Sequence, residues 1–266
     1  MKQQLLDLIR RASPTMAKSL AREVLQARIL LAMQEAGAMI PLAFHGGTAL
    51  RFLFDLPRFS EDLDFALERP DRGGFEMETV ERRVAAHLER EGYQVETKVR
   101  KGSAVESVMV GVPGLLHEAG ISRRAAEKLS IRIEVDTKPP MGAGLETTIM
   151  RRHALVNLQH HDRSSLLSGK LHAIVHRPWA KGRDLFDLFW YLSDPRWPGP
   201  NLDLLNNALQ QTGWTGPVIE ASSWRGIVRE RIESLDWGAA ERDVAPFLEP
   251  GSARALFGRE SLLRLL

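Results

Sequence analysis

The stretch from Ala43 to Leu67, AFHGGTALRFLFDLPRFSEDLDFAL, constrains the chain more than any other. It begins as the end of an apolar strand, turns at Gly46-Gly47 and continues as a short apolar helix from Thr48 to Phe54. After a loop with Pro57 it closes on a second strand, in which Asp62 and Asp64 alternate with Leu63 and Phe65. Side chains two apart on a strand share a face. Asp62 and Asp64 therefore project together, while Leu63 and Phe65 enter a core. Two close carboxylates repel unless a cation or a shared proton intervenes, and ligands that are all oxygen suit Mg2+ or Mn2+. The Gly pair permits close backbone approach, and the helix behind it offers unpaired N–H groups to an anion such as a phosphate chain. An Asp-x-Asp alone is most often a solvated strand end, and Gly-Gly alone a turn. Gly47 and Asp62, fifteen residues apart in one strand–turn–helix–loop–strand frame, make a more specific pattern.

With 266 residues the chain has room for two domains or one large one. Its 44% hydrophobic and 26% charged residues are those of an ordinary soluble protein. No apolar run approaches a bilayer's thickness, and the N-terminus lacks the unbroken apolar stretch of a signal peptide. The absence of cysteine excludes disulfides and thiolate metal sites, and the cytoplasm is the default location. Net charge is only +2, but between Arg151 and Arg183 seven Lys/Arg stand against one acidic residue, Asp162, with five of the eight histidines. Either this is an exposed basic face, or it is a landing strip for polyphosphate or a nucleic-acid backbone.

Helical periodicity predicts two helices within residues 1–38, broken at Ser13-Pro14 and stopped at Gly37, then a strand from Met39 to His45. ERPDRGG, ending in Gly73-Gly74, reads as a turn that follows no strand and carries no phosphate-loop inference. An amphipathic helix is predicted from Phe75 to Glu91, closed by Gly92, and a hairpin around Lys101-Gly102-Ser103. Pro113 to Glu127 reads as an insertion or short helix. In KLSIRIEVDTK, Leu129, Ile131, Ile133 and Val135 share one face and Arg132, Glu134 and Asp136 the other, a pattern that an edge strand could show. Thr147 to Gln159 reads as one or two more strands, and from Asp162 onward the pattern is helical. Lys170 and Arg177 fall on one face of the first of these helices. Asp184 and Asp187 fall on adjacent turns of the next, where an acid in the first turn can simply cap the helix or hold a salt bridge. His160-His161 and His172/His176 lack the glutamate of a zinc-protease motif and read as surface or phosphate-side residues. Trp197, Trp214, Trp224 and Trp237 read as core or interface.

Gly-Gly-Thr-Ala-Leu (46–50) followed by Arg58, Ser60, Asp62, Asp64 and Phe65 resembles the first motif of the AbiEii-type nucleotidyltransferases. These are toxins of type IV toxin–antitoxin systems within the DNA polymerase β-like superfamily. Glu134 stands where the second motif has its acidic residue, with Asp136 as the same-face alternative. Lys170 matches the lysine of the third, and Arg183, Asp184 and Asp187 match the R-D-x-x-D of the fourth. All four occur in family order between Ala43 and Leu192.

The resemblance implies an α/β (α+β) fold. A nucleotidyltransferase sheet domain with its N-terminal helices would occupy residues 1–160, and a helical domain carrying motifs three and four residues 161–266, with substrate between them. It implies transfer of a nucleoside monophosphate from an NTP to an acceptor hydroxyl, releasing pyrophosphate. Asp62, Asp64 and Glu134 would hold Mg2+ or Mn2+, and Asp62, Asp64, Lys170 and Asp184 would be the catalytic set, Asp184 positioning Lys170 or Arg183 or itself meeting a metal. Gly46, Gly47, Thr48, Arg58, Ser60, Arg183 and Asp187 would contact substrate. The implied acceptor is RNA, the 3′ end of tRNA, and the implied partner a separately encoded antitoxin. The alternatives are transfer to a protein or small-molecule hydroxyl, or a non-catalytic binding partner.

Overall fold

Pro14 splits the N-terminal periodicity because its ring suits the first turn of a helix and no later position. In the computed structural model, which describes residues 2–69, 75–179, 181–251 and 255–266, helix α1 (Lys2–Arg11) ends before it and α2 (Pro14–Glu35) begins on it. The expected turn at Gly73-Gly74 lies outside the described residues. Gly37, with φ of +69°, reverses the chain after α2. Strand β1 (Leu42–His45) starts three residues later than the sequence suggests. Pro41 has no N–H to lend to a ladder, and its carbonyl instead accepts the amides of Glu68 (3.0 Å) and Arg69 (3.2 Å).

Helix α3 (Gly46–Phe54) follows β1 directly, and β2 (Leu63–Leu67) returns antiparallel to it. Beyond α4 (Met77–Arg90) come the predicted hairpin, β3 (Glu96–Arg100) and β4 (Val105–Pro113), the short α5 (Leu115–Glu118) and β5 (Lys128–Asp136). Strands β6 (Leu145–Met150) and β7 (Val156–His161) complete a mixed seven-stranded sheet of order β3-β4-β5-β2-β1-β7-β6. β5 is internal, parallel to β2 and antiparallel to β4, so its apolar face, Leu129, Ile131, Ile133 and Val135, is fully buried. Leu63 and Phe65 are buried as the alternation required, with the Phe44 and Phe65 rings 5.1 Å apart.

The remaining helices are α6 (Arg163–His176), α7 (Gly182–Leu192), α8 (Leu202–Gln211), α9 (Trp224–Glu233), α10 (Trp237–Val244) and α11 (Arg259–Leu265). The chain divides into two compact units. One comprises residues 1–54, 59–138 and 147–160, and the other residues 55–58, 139–146 and 161–266. Two short segments, 55–58 and 139–146, thus belong with the helices, on the far side of the boundary expected at residue 160. Asp162 opens α6 by accepting the Ser165 amide at 2.7 Å. In the helical unit Trp224 is buried, Trp197 packs edge-on to Trp190 and Tyr191, and Trp237 lies 5.2 Å from Phe257.

Candidate active site

In the sheet unit the register of three strands sets one row of polar side chains. His45 of β1 stands opposite Asp64 of β2, which in turn stands opposite Glu134 of β5. Asp136 is opposite Ala66, so Glu134 is the acidic neighbour of Asp64. Asp62 immediately precedes β2. Asp62, Asp64 and Glu134 are all half-buried. Arg132 reports their combined field: its guanidinium is raised above its ordinary value, first by its hydrogen bond to Glu134 and further by the charges of Asp62 and Asp64. The Arg132–Glu134 pair is 3.0 Å long and open to solvent on both sides.

The backbone around this row is held by buried polar side chains. Gly46 has φ of +79°, and a Cβ there would lie 2.4 Å from Oδ2 of Asp64. Only glycine lets the turn and the carboxylate occupy this space. Thr48 is wholly buried and donates its hydroxyl to the carbonyl of Asp62. Gln26, on the inner face of α2, donates to the carbonyls of Ser60 (3.2 Å) and Glu61 (3.0 Å). Thr48, expected to contact substrate, turns its hydroxyl inward onto the backbone of Asp62.

A divalent ion fits the chemistry of this row, with three carboxylates, no sulfur, and a glycine cradle beside the central one. Among the described residues no group of three or more His, Cys, Asp or Glu converges closely enough to hold a metal ion. The carboxylates stand side by side across neighbouring strands, with Glu134 turned to Arg132.

Nearby, within the same unit, Glu23 of α2 is buried and accepts from Arg51 (2.5 Å), His153 (2.9 Å) and Arg152 (3.3 Å). Burial pushes its carboxyl up, but His153 and Arg51 outweigh that and hold it at about 2. Arg51 also lies over the Phe59 ring at 4.7 Å.

In the helical unit a second charged cluster joins α6 to α7. Lys170 Nζ reaches Asp184 Oδ1 at 3.0 Å and Asp187 Oδ2 at 2.7 Å, and Arg177 takes the other oxygen of Asp184. Arg58 forms a fork on Asp187, with two contacts of 2.6 Å. The three-residue spacing of Asp184 and Asp187 puts both on one face of α7, opposite Lys170 of α6 and Arg177, which caps the end of α6 in an extended conformation. Burial alone would raise Asp184, but Lys170, Arg177 and Lys181 hold it at about 2. Burial works against the Lys170 ammonium, yet Asp187 and then Asp184 raise it above its usual value, so it stays charged.

Several expectations change here. Arg58 and Asp187, expected to contact substrate, are buried against each other. Arg183 faces α10, its guanidinium 4.3 Å above Phe247 and its amide bonded to Asp243 at 3.2 Å. Asp184 is thus bonded to Lys170, and the Arg183 guanidinium lies over the Phe247 ring. The seven cations between Arg151 and Arg183 do not form one stripe. Arg152 is committed to Glu23, Lys170 and Arg177 to Asp184, Arg163 to the Trp197 ring and Arg183 to the Phe247 ring. His160 and His161 are buried, contrary to the surface reading, because β7 lies inside the sheet; His160 meets Thr148 at 2.9 Å. His172 is half-buried, stacked on the exposed His176, and pushed down to about 4 by burial, then by His176 and Arg177.

Sequence reasoning passed over His45, Gln26, Glu23 and Lys181. Glu23 and Gln26 did carry a signal, as polar residues inside the apolar stripe of α2, LAREVLQARILL.

A family model described as "Nucleotidyl transferase AbiEii toxin, Type IV TA system" matches residues 28–259. Among curated proteins none matches. Among solved structures, MenT4, the nucleotidyltransferase toxin Rv2826c from Mycobacterium tuberculosis H37Rv, is 18% identical. That alignment covers all of this chain and 98% of that one, with a TM-score of 0.53. JHP933 from Helicobacter pylori is 17% identical over 93% of this chain and 88% of its own, with the same TM-score. These likenesses establish a shared fold.

Proposed function

The chain belongs to the AbiEii family of nucleotidyltransferase toxins of type IV toxin–antitoxin systems, and from that premise we propose a specific reaction. The enzyme transfers a nucleoside monophosphate from an NTP to the 3′ hydroxyl of a tRNA, releasing pyrophosphate. The observation that supports this best is the alignment of Asp64 with Glu134 across β2 and β5, beside the Gly46 turn.

Asp62, Asp64 and Glu134 would hold Mg2+ or Mn2+. Such an ion, when bound, offsets phosphate charge and lowers the pKa of a coordinated hydroxyl. Glu134, bonded to Arg132 in the structure, would turn to the ion for that role. The N–H groups at Gly46-Gly47 and the Ser60 hydroxyl grip phosphate oxygens, with the α3 N-terminus behind them. Lys170 supplies a permanent positive charge to the phosphates as pyrophosphate departs. Asp187 and Asp184 orient Lys170 and keep it protonated, while Arg58 and Arg177 hold those two carboxylates in place. Thr48 and Gln26 hold the Asp62 backbone in place. An antitoxin partner follows from the family. Among the described residues no helix is long and apolar enough to cross a membrane.

Incubation with each labelled NTP, with and without total tRNA and with and without Mg2+, tests this reading. Label should enter tRNA only when the metal is present, and Asp64→Asn should block it. Label entering protein or a small molecule instead would move the acceptor. Absence of transfer from all four NTPs under every condition would end the proposal.

A further inference from the structure

The register of the strands carries the acidic row past Glu134 to the edge of the sheet. Glu134 of β5 stands opposite Ser107 of β4, and Ser107 stands opposite Arg100 of β3. One step along, Arg132 stands opposite Met109, and Met109 opposite Lys98. Residues paired across neighbouring strands share a face. His45, Asp64, Glu134, Ser107 and Arg100 therefore form one line across the sheet, with Arg132, Met109 and Lys98 in the line beside it.

The opposite face of these strands is occupied: Val108, Val110, Ile131 and Ile133 are buried there, and Thr97 donates to Glu81 of α4. On the face of the acidic row Ser107 and Met109 are half-buried, while Lys98 and Arg100 are exposed. Neither of these two cations forms an ion pair or side-chain hydrogen bond among the described residues. Their charged neighbours on this face are paired locally. Arg132 holds Glu134, Lys128 holds Glu96, and Asp136 accepts the Lys138 amide at 2.9 Å.

The two ends of the line differ. At one end β1 runs into the Gly46 turn and the N-terminus of α3, where the triphosphate is proposed to bind. At the other, Arg100 stands three strands away from Asp64, about 14 Å at the usual strand spacing. The basic pair thus lies on the side of Asp64 away from the triphosphate. In-line displacement brings the attacking hydroxyl from the side opposite the leaving pyrophosphate.

We propose that Lys98 and Arg100 form a phosphate track for the acceptor. The RNA backbone next to the reacting 3′ hydroxyl crosses the open face of β4, over Ser107 and Met109, and its phosphates rest on these two cations. This rests on the nucleotidyl-transfer reading above. Two exposed cations in line with the acidic row suit a polyanion, whose released counterions favour the contact.

The test uses the full chain and a fluorescent single-stranded RNA dodecamer with a free 3′ hydroxyl, titrated by anisotropy at several salt concentrations. Lys98→Gln with Arg100→Gln should weaken RNA binding about tenfold or more. The salt slope should fall by about 1.4, roughly 0.7 for each phosphate of a single strand. NTP affinity should stay unchanged, because Gly46 lies at the other end of the line. Lys98→Arg with Arg100→Lys should keep the wild-type slope. A cation on an edge strand also guards against strand pairing, and Lys98→Glu with Arg100→Glu separates the two roles. It keeps the edge charged, yet should bind RNA more weakly than the Gln pair; should the Gln pair aggregate, the Glu pair decides. Wild-type affinity and slope in the Glu pair would reduce Lys98 and Arg100 to edge protection and overturn the proposal, as would absence of RNA binding by the wild type. A lowered slope in the variants, with no transfer from any NTP by the wild type, would leave the track standing and sink the transferase reading. Transfer to tRNA by the Glu pair with unchanged KM for tRNA would do the reverse.

Discussion

The two charged clusters of this chain are built on opposite principles. In the sheet unit, Asp62, Asp64 and Glu134 are half-buried, with the exposed Arg132 bonded to Glu134. In the helical unit, Asp184 and Asp187 are buried and surrounded by Lys170, Arg177 and Arg58. The first arrangement leaves its carboxylates at the surface and the second encloses them in ion pairs. They also differ in what they contribute to the fold. A solvent-facing carboxylate at a strand end carries little packing, whereas a buried ion pair is costly to break because the partner left behind stays charged and dry.

The largest expected effect follows from that asymmetry. Asp187→Ala leaves Arg58 and Lys170 buried without their shared carboxylate and should cost about 3–5 kcal/mol of stability, read by denaturant unfolding. A loss below about 1 kcal/mol would mean that this cluster is as solvated as a surface pair. Asp64→Asn should behave oppositely. Transfer should fall by about 10²–10³-fold or more, while apo stability holds or rises as repulsion within the row is relieved. A fully active Asp64→Asn enzyme would remove the metal-binding role from the row.

The next effect is on pH dependence. Glu23 and Asp184 both titrate at about 2 in the folded chain, below their ordinary values of 4.5 and 3.8. Unfolded, they bind protons first as pH falls, so stability fully present at pH 7 is lost from about pH 4.5 down to about pH 2. Each group contributes on the order of 2 kcal/mol to that fall. Glu23→Gln should flatten its own share of an acid unfolding curve and leave the Asp184 share intact. A curve for Glu23→Gln that overlays the wild type would show the Glu23 network to be unimportant to the folded state.

The smallest effect concerns the basic stretch. Arg151 is exposed, whereas Arg152 is held by Glu23. Arg151→Glu should lower the salt dependence of RNA binding by roughly one power of concentration if it meets one phosphate, with NTP affinity and melting temperature unchanged. Arg152→Glu should instead destabilise the sheet unit. Identical behaviour of the two variants, in filter binding and melting, would restore the idea of a continuous strip.

Much of this chain was written in local pattern. The break at Ser13-Pro14, the alternation of Lys128 to Asp136 and the helical spacing of Lys170 with Arg177 each specify an element, because strand and helix periods depend on neighbours in sequence alone. The Gly-Gly turn and the Asp-x-Asp strand are legible for the same reason, and so is the choice of residues for the acidic row. Partnership was not. That Glu134 rather than Asp136 stands beside Asp64 is a matter of register between β2 and β5, strands more than sixty residues apart. That Thr48, Arg58 and Asp187 turn inward depends on which face each element buries, and a hydroxyl or guanidinium reads the same in sequence whether it meets phosphate or a buried carbonyl. Likewise the basic run of Arg151 to Arg183 is one stretch in sequence but a set of separate ion pairs and ring contacts once folded. Charge is a property of the residue and therefore of the sequence. Whether that charge is spent on a neighbour or kept for a ligand depends on distances of a few ångströms, and those belong to the tertiary structure alone.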